Sequence, residues 1–294
     1  MFVSAIEKVD QFTRPIHSII RNYGSNDVMP GSATLFFVNE DACAVTCKHV
    51  VDLVLNADAI HDTYQAFKKE AAQLSKNGEY WQRMTMLEAK YNYRTGVMIR
   101  IKNNFYNSVN SFSKLTVHLH PTYDLAIIRF DGATQNHYNG HAVFPKDSSQ
   151  AKQGKYLCRL GYPFPEFTNF RFNTATDDID WTNVGNPATP RFPIDGIITR
   201  HLSDSQGIWG LEMSTPGLRG QSGGPLFDEN GIVFGMQSST KHLHLGFDLH
   251  EIPVSINGVQ TTVSNYPFLH VGQCIHAEVI KNFLRENKVK FYEG

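Results

Sequence analysis

The chain has little of what would place it in a specialised class. Only 4 of its 294 residues are cysteine, at 43, 47, 158 and 274, too few and too irregularly spaced for a disulfide-stapled scaffold. Together with the lack of an export signal, this predicts reduced thiols and a cytoplasmic location. No apolar run approaches the roughly 20 residues that a membrane-spanning helix needs. The opening MFVSAIEKVDQFTRPIHSII scatters charges among its apolar positions and reads as neither a signal peptide nor a span, so no membrane partner is expected. An excess of charge of one sign is also missing. Lys and Arg total 27 against 28 Asp and Glu, which leaves no cationic surplus for a phosphate backbone and argues against nucleic acid as a partner. Internal repeats and low-complexity tracts are absent.

What is present is a succession of short β-prone runs. Residues 33–38 and 42–47 flank Asn39, Glu40 and Asp41 as a hairpin would, and similar runs follow at 96–102, 115–120, 125–130, 156–161, 196–201, 211–214 and 232–240. Many short strands joined by turns predict an all-β chain of antiparallel barrels or sandwiches. Two segments depart from that pattern. Over 56–92 the apolar period becomes helical, with Ile60, Tyr64, Phe67, Ala71 and Leu74, a stop at Asn77-Gly78, then Trp81, Met84 and Leu87. Near the end, Ala277, Ile280, Phe283 and Leu284 form one face of a helix. Residues 163–193, rich in Phe, Asn, Asp and Pro, read as one long irregular segment, either a lid or an exposed elaboration.

The stretch RGQSGGPLF, residues 219–227, sets three glycines around one serine. Glycines remove side chains where backbone N–H groups must approach a ligand, and the side chain left standing is a hydroxyl. A hydroxyl becomes a nucleophile only with a base and an orienting acid. Candidates are His49 in TCKHVVD and Asp124 in PTYDLAIIRF, each at the edge of a β-prone run, in the chain order His, Asp, Ser.

With that order, TCKHV, DLAII and GQSGGPL resemble the motifs of the chymotrypsin-like serine peptidases, and nearest among them the bacterial HtrA-type proteases. Pro30-Gly31-Ser32, LGYPF at 160–164, GIITR at 196–200 and VGQCIHAEVIKNFL at 271–284 carry the likeness further. It covers roughly residues 28–55 and 95–290. The resemblance implies two antiparallel six-stranded barrels with the site between them. On that basis we expect one peptidase domain over 1–294: an extension at 1–27, a first barrel at 28–145 with the helical insertion at about 56–92, a second barrel at 146–275 and a helix at 276–290. No PDZ domain, such as HtrA-type proteins usually add, is expected within these residues. The residue before the serine, an aspartate in animal trypsins, is the uncharged Gln221, so activation through an ion pair to a new N-terminus is not expected.

The implied chemistry has Ser222 attack a scissile carbonyl, His49 carry the proton and Asp124 hold the imidazole, while the backbone N–H groups of Gly220 and Ser222 form the oxyanion hole. No cofactor or metal is required. Ser238 aligns with the family's serine that supports the aspartate; Pro216, Gly217 and Leu218 on one side and Ser238, Ser239 and Thr240 on the other are expected to bind the protein or peptide substrate. None of these carries an acid, which disfavours Lys or Arg at P1 and leaves an uncharged, small or medium side chain as the expectation. Two other patterns stay open. Cys43, Cys47 and His49 resemble a metal comb but alternate as buried packing would; His242, His244 and His250 suit a strand with one wet face, a metal, or recognition of an acidic P1 group. The alternative to an active endopeptidase is a peptide-binding pseudo-peptidase that keeps the cleft without turnover, and restraint by a partner or by self-association is left open.

Overall fold

The period-two runs pair into two six-stranded antiparallel sheets in the computed structural model, which describes residues 2–294. The first contains β1 (Thr13–Asn22), β2 (Val28–Phe37), β3 (Cys43–Thr46), β4 (Met98–Asn104), β5 (Lys114–Leu119) and β6 (Ala126–Asp131), in the order β4-β1-β2-β3-β6-β5. After the short β7 (Val143–Phe144) the chain builds β8 (Tyr156–Gly161), a small hairpin of β9 (Phe170–Asn173) and β10 (Asp178–Trp181), then β11 (Phe192–Asp204), β12 (Gly207–Met213), β13 (Pro225–Phe227) and β14 (Val233–His244). A second hairpin, β15 (Leu249–Ile256) with β16 (Val259–Asn265), precedes β17 (Phe268–His276); β18 (Tyr292–Glu293) pairs with β7. Strands β11-β12-β17-β14-β13-β8 close into a barrel. The two six-stranded units are those expected.

Residues 13–22 do not form an extension. They are β1, an interior strand of the first sheet between β4 and β2, with Ile16 and Ile19 fully buried. Arg14, Pro15 and Arg21 hide its alternation in the sequence. The helix before it, α1 (Val3–Asp10), buries Ala5 and Val9, and Phe2 stacks edge-on against Phe227 of the second barrel. One apolar core joins the units, running from Phe36 and Val45 to Leu160, Phe227 and Met236.

The insertion after His49 is helical as its period requires: α2 (Lys48–Leu55), α3 (Ala57–Ala72) and α4 (Tyr80–Lys90). Tyr64, Phe67 and Leu87 pack with Tyr93 and Ile99 in a separate small core, whereas Trp81 stays 77% exposed. The segment 163–193 is more ordered than its composition suggests. Its Asp177 turns the β9–β10 hairpin at φ 52° and receives Arg21 Nη1 at 2.6 Å, Lys68 Nζ at 3.0 Å and the Tyr64 hydroxyl at 3.2 Å. Asp178 binds Arg100 and Lys102, and Phe167 and Ile179 pack on Ile19. The acidic run that reads as a loop is therefore a clamp onto β1, β4 and α3. At the far end, Ala277, Ile280, Phe283 and Leu284 are buried on α5 (Ala277–Glu286). No helix among the described residues is long and apolar enough to cross a membrane.

Candidate active site

His49 sits in the first turn of α2, placed there because β3 ends at Thr46 and Cys47, extended at ψ 145°, caps the helix. Asp124 ends the turn before β6. Its Oδ1 accepts the backbone N–H of His49 at 3.0 Å, Oδ2 lies 2.8 Å from His49 Nδ1, and Ser238 Oγ donates to Oδ2 at 2.6 Å. Burial alone would push the Asp124 carboxyl up, yet the hydrogen bonds from His49 and Ser238 hold it well below the usual carboxylate range. The reciprocal bond to Asp124 raises His49, against the opposing effect of its own burial. An ionised Asp124 can only accept, so Nδ1 of the imidazole carries the proton and Nε2 is left with its lone pair when the ring is neutral.

Ser222 lies in the turn that leads into β13. Its hydroxyl donates to the Ser238 carbonyl at 3.3 Å, and no hydrogen bond joins it to His49. Ser238 instead joins Ser222 to Asp124, its side chain donating to the carboxylate and its carbonyl receiving the Ser222 hydroxyl. The turn itself is closed by the Gln221 N–H on the Leu218 carbonyl at 3.0 Å, with Gly220 at φ 94°. A positive φ at that third position is the type II arrangement. The Gly220 carbonyl is drawn toward the first sheet by Thr34 Oγ1 at 2.7 Å. Among the described residues, neither the Gly220 nor the Ser222 N–H has an internal acceptor. A Cβ at 220 would stand 2.5 Å from the Tyr162 carbonyl oxygen and 2.7 Å from Pro163 Cα, so the position excludes any side chain.

Several residues that hold this arrangement have no motif to announce them. Gln221 is fully buried; its Oε1 takes the Leu218 N–H at 3.0 Å and its Nε2 donates to the Phe192 carbonyl at 3.1 Å. A neutral amide thus fastens the glycine turn from two sides. Thr34 donates its N–H to the Ser222 carbonyl at 2.9 Å and is itself braced by Thr46 Oγ1 on its own carbonyl at 2.7 Å. Period-two alternation identified β2 and β3 but not that Thr34 reaches across to the glycine turn with Thr46 bracing it.

A cavity of about 450 Å³ opens beside Ser222. Pro216, Gly217 and Leu218 line one side and Ser238, Ser239 and Thr240 the other, joined by Arg219, Gln237, His242 and His270. His244 and His250 instead face Asp248, at 2.5 and 3.9 Å. Of the histidines singled out in the sequence, only His242 reaches the cavity, and its partner there, His270, went unnoticed. Cys47, His49 and Asp124 bring their ligand atoms within 4.8 Å of one another. Burial, however, pushes the Cys47 thiol far up and its Sγ donates to the Gln237 carbonyl at 3.2 Å, so the thiolate a metal requires is disfavoured. Cys43 is buried on the same strand face.

The sequence profile of the trypsin-like peptidase domain matches residues 33–236. Among solved structures, the HtrA-type protease AlgW with a tripeptide is 10% identical over 97% of this chain, with a TM-score of 0.47, and the chain spans 62% of that protein's length. AlgW with a decapeptide is 12% identical over 97% of this chain and 66% of its own, with a TM-score of 0.49. The active form of the Rv3671c protease from M. tuberculosis is 14% identical, covering 99% of this chain and 86% of its own, with a TM-score of 0.47. Comparison with curated protein sequences finds no match. The profile covers well over half of the residues and runs from β2 to β14, taking in His49, Asp124 and Ser222, and on that ground this chain belongs to the trypsin-like peptidase domain family.

Proposed function

We propose that the protein is a serine endopeptidase that hydrolyses peptide bonds in protein substrates through His49, Asp124 and Ser222. The observation that carries this is the His49–Asp124–Ser238 hydrogen-bonded set lying against Ser222, whose own N–H and that of Gly220 have no internal acceptor among the described residues. The hydroxyl's bond to the Ser238 carbonyl is long at 3.3 Å, so exchanging it for one to His49 Nε2 gives up little. Nε2 takes the proton as Ser222 Oγ attacks the carbonyl, and the oxyanion settles on the two N–H groups. His49 then returns the proton to the leaving amine, and water releases the acyl group by the same route in reverse. Asp124 stays ionised throughout and stabilises the imidazolium. The edge at Ser238–Thr240 pairs with the substrate backbone, and no cofactor takes part. The domain limits given above fit this reading once β1 is counted with the first barrel. Four buried free thiols support a reducing, cytoplasmic setting.

The second reading, a peptide-binding module without turnover, is favoured by one observation: Ser222 bonds to Ser238 rather than to His49. A fluorophosphonate separates them. A covalent adduct on Ser222 of the parent protein that is lost in Ser222→Ala supports the enzyme. A folded parent that neither labels nor cleaves any peptide supports the module.

A further inference from the structure

We propose that the cavity beside Ser222 selects an acidic side chain at P1, with His242, His270 and the buried Arg159 as the residues that set this choice; this rests on the peptidase reading above. The uncharged P1 expected from Pro216–Leu218 and Ser238–Thr240 gives way because the decisive groups, His242 further along β14, His270 on β17 and Arg159 on β8, lie outside those two segments.

Every ionisable side chain lining the cavity is basic: Arg219, His242 and His270. No carboxylate lines it. Of the acids on or beside the flanking strands, Glu212 is engaged by Arg200 at 2.6 Å and Asp248 by His244 at 2.5 Å, while Asp195, whose charge reaches Arg159, accepts from the Tyr156 hydroxyl. His242 on β14 faces His270 on β17 as a cross-strand pair, and the rings bond through their Nδ1 atoms. That bond has a chemical consequence. One Nδ1 donates and the other accepts, so the accepting ring must carry its proton on Nε2. Both Nδ1 atoms are consumed, at least one Nε2–H donor is available, and a further proton makes it two.

Behind the wall lies a second source of positive charge. Arg159 on β8 is completely buried. Its Nη1 donates to Gln237 Oε1 at 2.7 Å and its Nη2 to the Thr215 carbonyl at 2.9 Å, while Nε has no partner. The guanidinium packs so tightly on β17 that a Cβ at Gly272 would be 2.3 Å from Nη1. Among the described residues the other buried cations have acids: Arg21 has Asp177, and Lys281 has Glu278 and Glu293. Arg159 alone is buried without one. An unpaired buried charge is costly, and the fold tolerates it where a ligand can supply the opposite sign.

Gln237 connects that charge to the cavity. Because Arg159 holds its Oε1, the amide presents its N–H₂ end toward the cavity strands, where Nε2 donates to the Ser239 carbonyl at 2.8 Å. A carboxylate entering past Ser222 thus meets an Nε2–H of the histidine pair, with the Arg159 guanidinium behind Gln237, whose own Nε2 is occupied by the Ser239 and Gln273 carbonyls at 2.8 and 3.4 Å. A P1 lysine meets the Arg219 and Arg159 guanidinium charges and no carboxylate among the lining residues. An amide side chain gains the hydrogen bonds but not the charge, which makes Glu against Gln the discriminating comparison.

The test uses the full chain and fluorogenic peptides that differ only at P1, carrying Glu, Asp, Gln, Leu, Ala or Lys, with active sites counted by fluorophosphonate. The expected result is kcat/KM for Glu or Asp at least about tenfold above Gln and Leu, with Lys lowest. In His270→Gln and in Arg159→Met the Glu-to-Gln ratio should fall several-fold. This ratio is insensitive to a general loss of folded enzyme, so the histidine variant decides the matter if the arginine variant does not fold. Labelling of Ser222 with a preference for Leu, Ala or Lys overturns the acidic pocket and leaves the peptidase standing, as does an unchanged ratio in both variants. A protein that neither labels nor cleaves overturns both.

Discussion

Replacing Gly220 with alanine tests the oxyanion turn directly. At φ 94° an L-residue is strained by about 1–2 kcal/mol, and the new methyl would sit 2.5 Å from the Tyr162 carbonyl oxygen and 2.7 Å from Pro163 Cα. Both obstacles are main chain at the end of β8, so they do not swing aside. The cheapest relief is rotation of the 219–220 peptide to the type I form, in which residue 220 takes a negative φ and its N–H turns out of the cleft. One of the two proposed oxyanion donors is then lost, worth about 3–4 kcal/mol or 10²–10³-fold in kcat, while KM, set by the ground state, changes little. The Thr34 bond to the Gly220 carbonyl weakens as well, at about 1 kcal/mol, so the melting temperature should drop by only a few degrees. The assay is kcat and KM on a peptide substrate with titrated active sites, beside a thermal melt. A folded variant whose kcat stays within about threefold of the parent would falsify the role given to this N–H.

Asp124→Asn should lower kcat by about 10⁴-fold with little change in KM, because the imidazole loses the acceptor that fixes its tautomer; a loss under tenfold contradicts the triad. In the parent, kcat/KM should rise with pH through a value above the ordinary imidazole range, since Asp124 raises His49 and only its neutral form is a base. The linked stability has the opposite sense: protonated His49 stabilises the fold at lower pH, and this contribution is lost as pH rises through its folded value. His17 and His276 behave in reverse. Burial lowers both to about 4, so the unfolded chain binds protons first and stability is lost as pH falls from about 6.5 to 4, by up to about 3 kcal/mol for each. In His276→Asn, which retains a side-chain acceptor at the α5 N-cap, urea denaturation should show a flatter acid limb; an unchanged slope rules out this assignment. Asp177→Ala strips the buried Arg21 of its acid, so we expect a loss of about 3 kcal/mol and faster proteolysis within 163–193, and equal cleavage rates would show that the hairpin is held by packing alone.

The strands, the helical insertion and the C-terminal helix were legible because each imposes a period that a single chain must write into its own apolar positions. Tyr64, Phe67 and Leu87 announced their core in this way. Two elements were hidden for definable reasons. β1 is an interior strand that carries Arg14, Pro15 and Arg21, so its alternation is masked, and β9–β10 is too short for a period to emerge amid its aspartates. Its anchorage comes from residues remote in the chain, the cations on β1, α3 and β4 and the Ile19 side chain on which Phe167 and Ile179 pack.

By itself the sequence determined which functional groups are available, since a serine among glycines, a histidine after a strand and an aspartate before one are choices of residue type. Only the tertiary structure decided what surrounds them. Ser238 bridges Asp124 and Ser222, Thr34 reaches across from the first sheet, and Arg159 stands unpaired behind Gln237, each through contacts between residues far apart in the chain. Hydrogen-bond partners and counter-charges are properties of distance, and distance between remote residues is set when strands pair and sheets close.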